Sequence, residues 1–271
     1  MRARWFILLV VGLGSATLAG GLLMFMENAF IYFPTTYPSG NWNPTQVEGC
    51  SIEDVYFEAE DGVRPHSWFL ENPSSKRVLV YYHGNAGSIA DRYEWGCQLK
   101  GVGASVLMVE YRGYGRSEGS PGEAGFYKDA EAVWKWLVQT KGYAANQIIL
   151  YGKSLGGGVA AELSTRHSPG ALVLQSTFTS IPDMAKIVLP FVPKFMIRTR
   201  FQTIDKLSQI DCPVLVIHSR DDEIVPFQMG ERLAQKAGKL HGFLQFSNYG
   251  HNDLIWGEGE KIVAGIRGIL K

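Results

Sequence analysis

Ser154 lies between glycines in the stretch Gly152-Lys153-Ser154-Leu155-Gly156, which fits the pattern G-x-S-x-G. This pattern is typical of a sharp turn from a strand into a helix, where the serine oxygen is exposed and the glycines let both elements approach closely. The first N–H groups of the following helix point toward any negative oxygen that forms beside the serine. The stretch therefore predicts a nucleophilic serine, although so short a pattern also occurs in glycine-rich connections without chemistry.

Two later groups of residues could activate such a serine. An acidic run, Asp221, Asp222 and Glu223, is followed by His251 in a polar, glycine-containing loop. A histidine can take the proton of a serine, and a carboxylate can orient the imidazole and stabilise its charged form. The chain order of serine, acid and histidine thus indicates a catalytic triad.

Short apolar segments that are typical of buried strands precede all of these residues. They are predicted at residues 52–58, 66–70, 77–82, 105–109, 147–151, 172–175, 214–218 and 243–246, with the first two forming a hairpin. Helix-like stretches such as residues 123–139 separate most of them, which predicts an α/β fold with a mostly parallel, doubly wound sheet. Ligands bind such sheets at the carboxyl ends of the strands, where the three groups and the loop at residues 83–87 are expected to meet.

The first 26 residues are predicted to be a membrane anchor. Residues 5–26 carry no charge, and as a helix they would cross the core of a bilayer. Arg2 and Arg4 precede this stretch and no basic residue follows until Arg64, so we expect a single-pass protein with its catalytic domain on the non-cytoplasmic side. A cleaved signal peptide and a secreted domain are the alternative. Residues 27–49 are predicted to be an irregular connector, and residues 50–271 the globular domain.

Composition excludes one class of partner and gives two expectations about the cysteines. The chain has 26 basic and 26 acidic residues and no basic run, so nucleic acid is not an expected partner. Its three cysteines, Cys50, Cys97 and Cys212, are odd in number and far apart. We therefore expect free buried thiols, with neither a disulfide nor a metal site.

Several longer motifs carry a resemblance to a known family. They are ENAFIYFPT, YYHGNAGS, EYRGYGRSEGSPGEAGFYKDA, YGKSLGGG, CPVLVIHSRDDEIVP and YGHNDL. With them the chain resembles the α/β-hydrolase superfamily over nearly everything after residue 26, and most of all the small membrane-anchored α/β-hydrolase domain-containing proteins. The resemblance implies an α/β-hydrolase fold and a serine hydrolase of esters or thioesters that needs no metal or organic cofactor. Ser219 and Glu110 depart from the family, which usually has glycine and aspartate there.

The resemblance also implies roles for the triad residues. Ser154 would attack a carbonyl carbon, and His251 would take its proton and later give it to the leaving group. Asp222 would orient His251, because the family places the acid three residues before a Val-Pro pair. Asp221 or Glu223 as the acid remains the alternative.

Main-chain N–H groups of Leu155 and Asn85 are expected to form the oxyanion hole. The side chain of Asn85 is expected to matter less than its position. We expect His83 to brace this loop, His218 to pack under the acidic run, and Lys153 to point away from the serine. The glycine-rich stretch at residues 111–119 either lines the site or forms a buried turn.

Residues 177–209 are predicted to form a small helical cap, because three prolines interrupt an apolar stretch. The cap either covers the core or faces the substrate, which we expect to be an acyl, lipid-like ester or thioester. An amidase or peptidase with the same triad is one alternative, and a membrane-tethered binding protein without activity is another. The oligomeric state stays open.

Overall fold

The structure is a computed structural model that describes residues 27–45 and 47–270. Within these residues the chain forms one sheet of eight strands and a short two-stranded ladder beside it. The order across the large sheet is β1-β2-β4-β3-β5-β6-β7-β8. The strands are β1 (Glu53–Tyr56), β2 (His66–Leu70), β3 (Val78–Tyr82), β4 (Ser105–Val109), β5 (Ile148–Lys153), β6 (Ala171–Gln175), β7 (Val214–Ser219) and β8 (Leu240–Phe246).

The predicted α/β organisation is confirmed. β1 and β2 pair antiparallel as the expected hairpin, and β2 pairs antiparallel with β4. The pairs from β4–β3 to β7–β8 are all parallel. The largest difference from the predicted bounds is at β8, which begins at Leu240 rather than at residue 243. As a partly exposed edge strand, β8 starts with residues that lack an apolar run, so its beginning carries no strand signal.

Helices cover both faces of the sheet. They are α1 (Tyr93–Leu99), α2 (Glu123–Lys135), α3 (Leu155–Arg166), α4 (Ile181–Val188), α5 (Thr203–Lys206), α6 (Phe227–Lys236) and α7 (Leu254–Ile269). Side chains alternate along each strand, so β3 directs Val80 and Tyr82 to the core under α2, α3 and α6, and Leu79 and Tyr81 to the core under α1 and α7. These two cores fix the strand ends that carry the predicted site residues.

The segment at residues 177–209 contains only short helices. α4 begins after Ser180, whose hydroxyl accepts the N–H of Asp183 at 3.1 Å and so caps the helix. Pro190 and Pro193 lie just beyond α4 and prevent its continuation. A 3₁₀ turn at Lys194–Met196 and α5 follow, so the cap is a chain of brief segments rather than a separate bundle.

The predicted connector is more regular than expected at its beginning. Residues 27–31 are helical, and Phe33–Pro34 forms a parallel ladder with Ala86–Gly87 in the loop after β3. The sequence of this part lacks the length for a recognisable strand pattern, and its pairing partner lies about fifty residues away. The connector is therefore packed against the loop that is expected to hold the oxyanion.

The expectation of free thiols is wrong for two of the three cysteines. Cys50 and Cys97 form a disulfide that ties the end of the connector to α1, whereas Cys212 is a free, buried thiol. The pairing joins positions 47 residues apart, and spacing in the sequence gives no information about such a distant contact. The odd number of cysteines reflects one disulfide and one core thiol.

The predicted membrane helix, residues 5–26, lies outside the described residues. Among residues 27–45 and 47–270, no helix combines the length and the apolar character needed to span a membrane.

Candidate active site

Ser154 occupies the tight turn that its glycine pattern predicts. β5 ends at Lys153 and α3 begins at Leu155, so Ser154 is the single residue between strand and helix. Its backbone has φ 53° and ψ −116°, a conformation that a non-glycine residue adopts only under strain. A Cβ at Gly156 would come within 2.1 Å of the carbonyl oxygen of Tyr82, so the close approach of α3 to β3 requires glycine there.

The three carboxylates of the acidic run all contact the loop that carries His251, but in different ways. Asp221 accepts the N–H of Asn248 at 2.6 Å, and Glu223 accepts the main-chain N–H of His251 at 2.9 Å. The oxygens of Asp222 lie 2.8 and 3.0 Å from Nδ1 of the His251 ring. Asp222 is thus the member of the run that contacts the imidazole, and its two neighbours hold the backbone of the loop.

Asp222 lies in surroundings that favour its charged form. Burial opposes ionisation, but hydrogen bonds from His218 and His251 outweigh it and hold the pKa of Asp222 well below its usual range. Oδ1 also accepts the N–H of Val225 at 2.7 Å. An ionised Asp222 accepts a hydrogen bond from the Nδ1–H group of His251, which leaves Nε2 as the ring nitrogen able to take a proton. His218, 3.4 Å from Asp222, donates to the carbonyl of Val225, so it packs against the acidic run as expected.

Lys153 joins the serine turn to the histidine loop. Its Nζ donates to Oδ1 of Asn252 at 3.0 Å, and these two residues directly adjoin Ser154 and His251 in the chain. The side chain is buried, and burial together with the charge of Arg92 lowers the pKa of Lys153 to about 8. Sequence reasoning missed this bond. The buried ammonium holds the two halves of the predicted triad in register.

Asn85 is held in place by residues on either side of it in the fold. Its carbonyl oxygen accepts the N–H of Phe33 at 2.9 Å and the hydroxyl of Tyr114 at 2.7 Å. Its side-chain amide donates to the carbonyl of Ile31 at 2.8 Å, so this side chain has a definite structural contact that the sequence did not suggest. Leu155, as the first residue of α3, has an N–H without an intrahelical acceptor. The main-chain donors of both residues are therefore the groups to consider for binding an oxyanion.

A buried pair of ionisable side chains lies behind Asn85. His83 Nδ1 lies 2.7 Å from the carbonyl of Gly84, and its Nε2 lies 2.9 Å from Oε1 of Glu110. Burial raises the pKa of Glu110 to about 8 and holds the pKa of His83 well below its usual value. A neutral His83 that donates from Nδ1 must accept at Nε2, so a protonated Glu110 is the matching donor. Oε2 of Glu110 accepts the N–H of Ile89 at 3.0 Å, which leaves both carboxyl oxygens paired.

The stretch at residues 111–119 braces the loop before it through buried tyrosines and does not line the cavity. Tyr111 and Tyr114 are fully buried, and the hydroxyl of Tyr111 donates to the carbonyl of His83 at 2.6 Å. Gly115 has φ 51°, and a Cβ there would come within 2.2 Å of Glu110, so glycine makes room for the longer acid that replaces the usual aspartate. None of these described residues lines the cavity beside Ser154. This settles the choice that the sequence left open.

One cavity of about 270 Å³ brings the predicted nucleophile and oxyanion residues together. Ser154, Leu155 and Asn85 lie in its wall, and apolar residues from three regions complete it. Among the described residues that line it, Glu27 is the one with a charge, and its carboxylate accepts main-chain N–H groups at 2.7 and 3.2 Å. The apolar members are Phe30, Ile31, Phe178, Ile181, Met184, Ala185, Val188, Leu189, Val192, Met196, Ile197, Ile224 and Val225.

Comparisons with known proteins show what the chain is similar to. Residues 73–208 match a family model described as serine aminopeptidase, S33. The chain is 33% identical to the α/β hydrolase domain-containing protein WAV2 of Arabidopsis thaliana over 278 residues, which cover 93% of this chain and 90% of that protein. It is 33% identical to the lysophosphatidylserine lipase ABHD12 of Danio rerio over 241 residues, 79% of this chain and 59% of that protein. The Pyrococcus furiosus esterase Pf2001 superposes with a TM-score of 0.71 at 20% identity, covering 89% of this chain and 96% of that one.

Proposed function

This chain belongs to the α/β-hydrolase superfamily, and we propose that it is a serine hydrolase that cleaves carboxylic esters or thioesters of apolar acyl groups. One observation carries the proposal: Ser154, on its strained turn, shares the wall of an apolar cavity with both residues that offer main-chain N–H groups to an oxyanion. A nucleophile, an oxyanion site and an acyl-binding surface are the parts that ester hydrolysis through an acyl-enzyme requires.

The proposed reaction has two halves. In the first, Oγ of Ser154 attacks the acyl carbonyl carbon while Nε2 of His251 takes the serine proton, and the N–H groups of Leu155 and Asn85 bind the oxygen that becomes negative. His251 then gives the proton to the leaving alcohol or thiol, which departs and leaves an ester on Ser154. In the second half, a water molecule attacks this ester while His251 takes the water proton, and His251 then gives the proton to Oγ of Ser154 as the acid is released. Asp222 stabilises the imidazolium throughout.

The lining of the cavity favours acyl esters over peptides. The matching family model is described as an aminopeptidase, and an enzyme of that kind must bind a charged amino group. The one carboxylate among the described lining residues, Glu27, is already occupied by the main-chain N–H groups of Arg198 and Thr199. An apolar chain fits the remaining surface, and a lipase among the relatives supports the same choice. An amidase or peptidase remains the second candidate because the triad chemistry serves both bonds.

We further propose that residues 1–26 anchor the protein and that the hydrolase domain, with its cap at about 177–209, lies on the non-cytoplasmic side. The disulfide between Cys50 and Cys97 supports this placement, because disulfides persist in oxidising compartments. The disulfide is equally consistent with the alternative, a cleaved signal peptide, because cleavage would leave the domain in the same compartment. The mass of the mature N-terminus distinguishes the two.

The test of the proposed function is labelling with a fluorophosphonate, which reacts with an activated serine. Wild-type protein should be labelled and Ser154→Ala should not, while Ser164→Ala, which changes a buried serine within α3, should keep the label. Failure of the wild type to react would favour a binding protein without activity. A panel of ester, thioester and amide substrates then separates the two enzymatic candidates.

The dependence on acyl length tests the acyl-binding role of the cavity. Each buried CH₂ contributes about 0.8 kcal/mol, so kcat/KM for esters should rise with acyl length until the cavity is filled.

A further inference from the structure

Large apolar side chains are exposed along the rim of the Ser154 cavity. Within the cap, Leu189, Val192 and Met196 line the cavity, whereas Phe191 and Phe195 between them are 76% and 82% exposed. Val188, Phe30 and Ile224 line the cavity and are also about half exposed or more, so the apolar surface continues from the inside of the cavity to the outside. We call this surface the rim face; its members are Phe30, Ile187, Val188, Phe191, Phe195 and Ile224.

Phenylalanines as exposed as these are costly in water. A buried aromatic side chain removes about 150–250 Å² of surface from water, at roughly 25 cal/mol per Å². The exposed residues in the cap all lie within one short segment of the chain, residues 187–195. A contiguous apolar patch on a domain of this size marks a surface that binds something.

Around the rim face, the charged residues of the cap segment are mostly basic. Residues 181–200 contain four basic residues, Lys186, Lys194, Arg198 and Arg200, and one acidic residue, Asp183. Asp183 pairs with Lys194 at 2.6 Å and Glu27 pairs with Arg198 at 3.5 Å, so Lys186 and Arg200 are the residues of this segment that add positive charge beyond these two pairs. Apolar side chains interleaved with basic ones match the interfacial region of a bilayer that contains anionic lipids.

The position of Glu27 indicates where a bilayer that holds residues 5–26 would lie. Glu27 is fixed at the rim, because its carboxylate accepts the N–H groups of Thr199 at 2.7 Å and of Arg198 at 3.2 Å. The uncharged stretch of residues 5–26 ends one position before Glu27. Neighbouring Cα atoms are about 3.8 Å apart, so a bilayer that holds residues 5–26 cannot be far from Glu27 and the cavity mouth. An anchor inserted in a bilayer therefore brings the rim face to the same bilayer.

We propose that the rim face docks on the lipid bilayer that holds the anchor, so that the mouth of the Ser154 cavity opens onto lipid. This proposal deepens the proposed function and partly rests on it: an acyl ester would pass from the bilayer into the cavity along Phe30, Val188 and Ile224 without crossing water. The docked face would bury the phenylalanines of the cap among acyl chains and leave the basic residues at the headgroups.

The direct test does not depend on catalysis. The full chain is reconstituted into vesicles of phosphatidylcholine and phosphatidylglycerol, with a fluorophore attached at Phe195→Cys or, as the matched control, at Trp256→Cys. Trp256 is likewise exposed but belongs to α7, away from the cavity lining. Nitroxide-labelled lipids should quench the fluorophore at position 195 several-fold more than at position 256. Equal quenching at the two positions, or none at position 195, overturns the proposal and points instead to a protein partner on this surface.

A second test follows the substrate. The double variant Phe191→Ser with Phe195→Ser should lose about tenfold or more in hydrolysis of a long-chain ester held in the vesicle, and keep its rate on a water-soluble short ester. Trp256→Ser should keep both rates. An equal loss on both substrates would indicate a damaged domain and contradict docking as the cause. If the wild type hydrolyses neither ester, the proposed function fails, while the quenching result still decides whether the rim face meets lipid.

Discussion

The histidine side and the oxyanion side of the Ser154 site are held together by different parts of the chain. On the histidine side, the acidic run after β7 contacts the loop after β8, at most 29 residues away. On the oxyanion side, Asn85 is bonded to Ile31 and Phe33 from the connector and to Tyr114 from the turn after β4. The histidine side thus belongs to the sheet itself, whereas the oxyanion side depends on a segment that is added from outside the sheet.

Because of this difference, the two sides of the site respond differently to changes in the chain. Strand ends of one sheet are fixed by the two cores beneath them, so the positions of Asp222 and His251 follow from the fold. The loop at Asn85 is fixed by a two-residue ladder with Phe33–Pro34, and this ladder directly follows the helix that lines the cavity. A change in the connector therefore affects the oxyanion site and the acyl cavity together and leaves the histidine side in place.

The largest expected effect lies on the histidine side. Asp222→Asn should lower kcat by roughly 10⁴-fold, because an amide can donate to the ring and stabilise the wrong tautomer. Asp221→Asn and Glu223→Gln, whose carboxylates contact main-chain N–H groups, should lower kcat by about tenfold or less. Steady-state kinetics on a short ester gives the ratios, and thermal unfolding shows whether each variant is folded. Similar losses for all three acids would contradict the role proposed for Asp222.

The next effect concerns the disulfide at the end of the connector. Closure of a loop of 47 residues is worth about 4 kcal/mol in the chain-entropy model, so Cys97→Ser should lower the free energy of unfolding by about that amount. Cys212→Ser, the matched change at the free thiol, should cost far less. Denaturant unfolding with and without a thiol reductant is the measurement. The reductant should destabilise the wild type and Cys212→Ser and leave Cys97→Ser unchanged; a wild type insensitive to reductant would argue against the disulfide.

The same contrast explains what could be predicted from the sequence. Ser154, the acidic run, His251 and the loop at Asn85 each follow an apolar strand segment in a local motif, so their common edge of the sheet was predictable. Two other contacts could not be predicted: the ladder of Phe33 with Ala86 and the bond between Cys50 and Cys97. Each of them joins distant positions that share no local sequence pattern. The contact of Lys153 with Asn252 was missed for the same reason.

A smaller effect is expected on the oxyanion side. Phe33→Pro removes the N–H that Asn85 accepts at 2.9 Å, while the exposed Phe33 ring contributes little packing. Because loss of a whole oxyanion donor costs about 10²–10³-fold, a loosened one should lower kcat on a short ester by about 10- to 100-fold. Phe33→Ala keeps the N–H and is the matched control. If proline and alanine gave the same kcat, the ladder would have no part in positioning Asn85.

The smallest effect is expected for Glu110→Gln, beneath the oxyanion loop, and it is followed through the dependence of stability on pH. Glutamine has nearly the shape of a protonated glutamate and can donate to His83 and accept from Ile89. Glu110→Gln should therefore change the free energy of unfolding at pH 5 by about 1 kcal/mol or less. Glu110→Leu, which leaves both partners unpaired, should cost about 1–3 kcal/mol for each of them.

The direction in which the pKa of Glu110 is shifted determines how the free energy of unfolding changes with pH. The pKa of Glu110 rises from an ordinary 4.5 to about 8 in the folded protein, so the unfolded chain loses this proton first. The stability that protonated Glu110 contributes is complete below about pH 4.5 and is lost as the pH rises toward 8. Wild type should thus become less stable relative to Glu110→Gln between pH 5 and pH 8, while His83 and the other titrating groups are common to both and cancel. Glu118→Gln, at an exposed glutamate, should follow the wild type. Parallel stability curves for wild type and Glu110→Gln would mean that the buried pair carries a charge at Glu110, and that the loop is held by an ion pair instead of a shared proton.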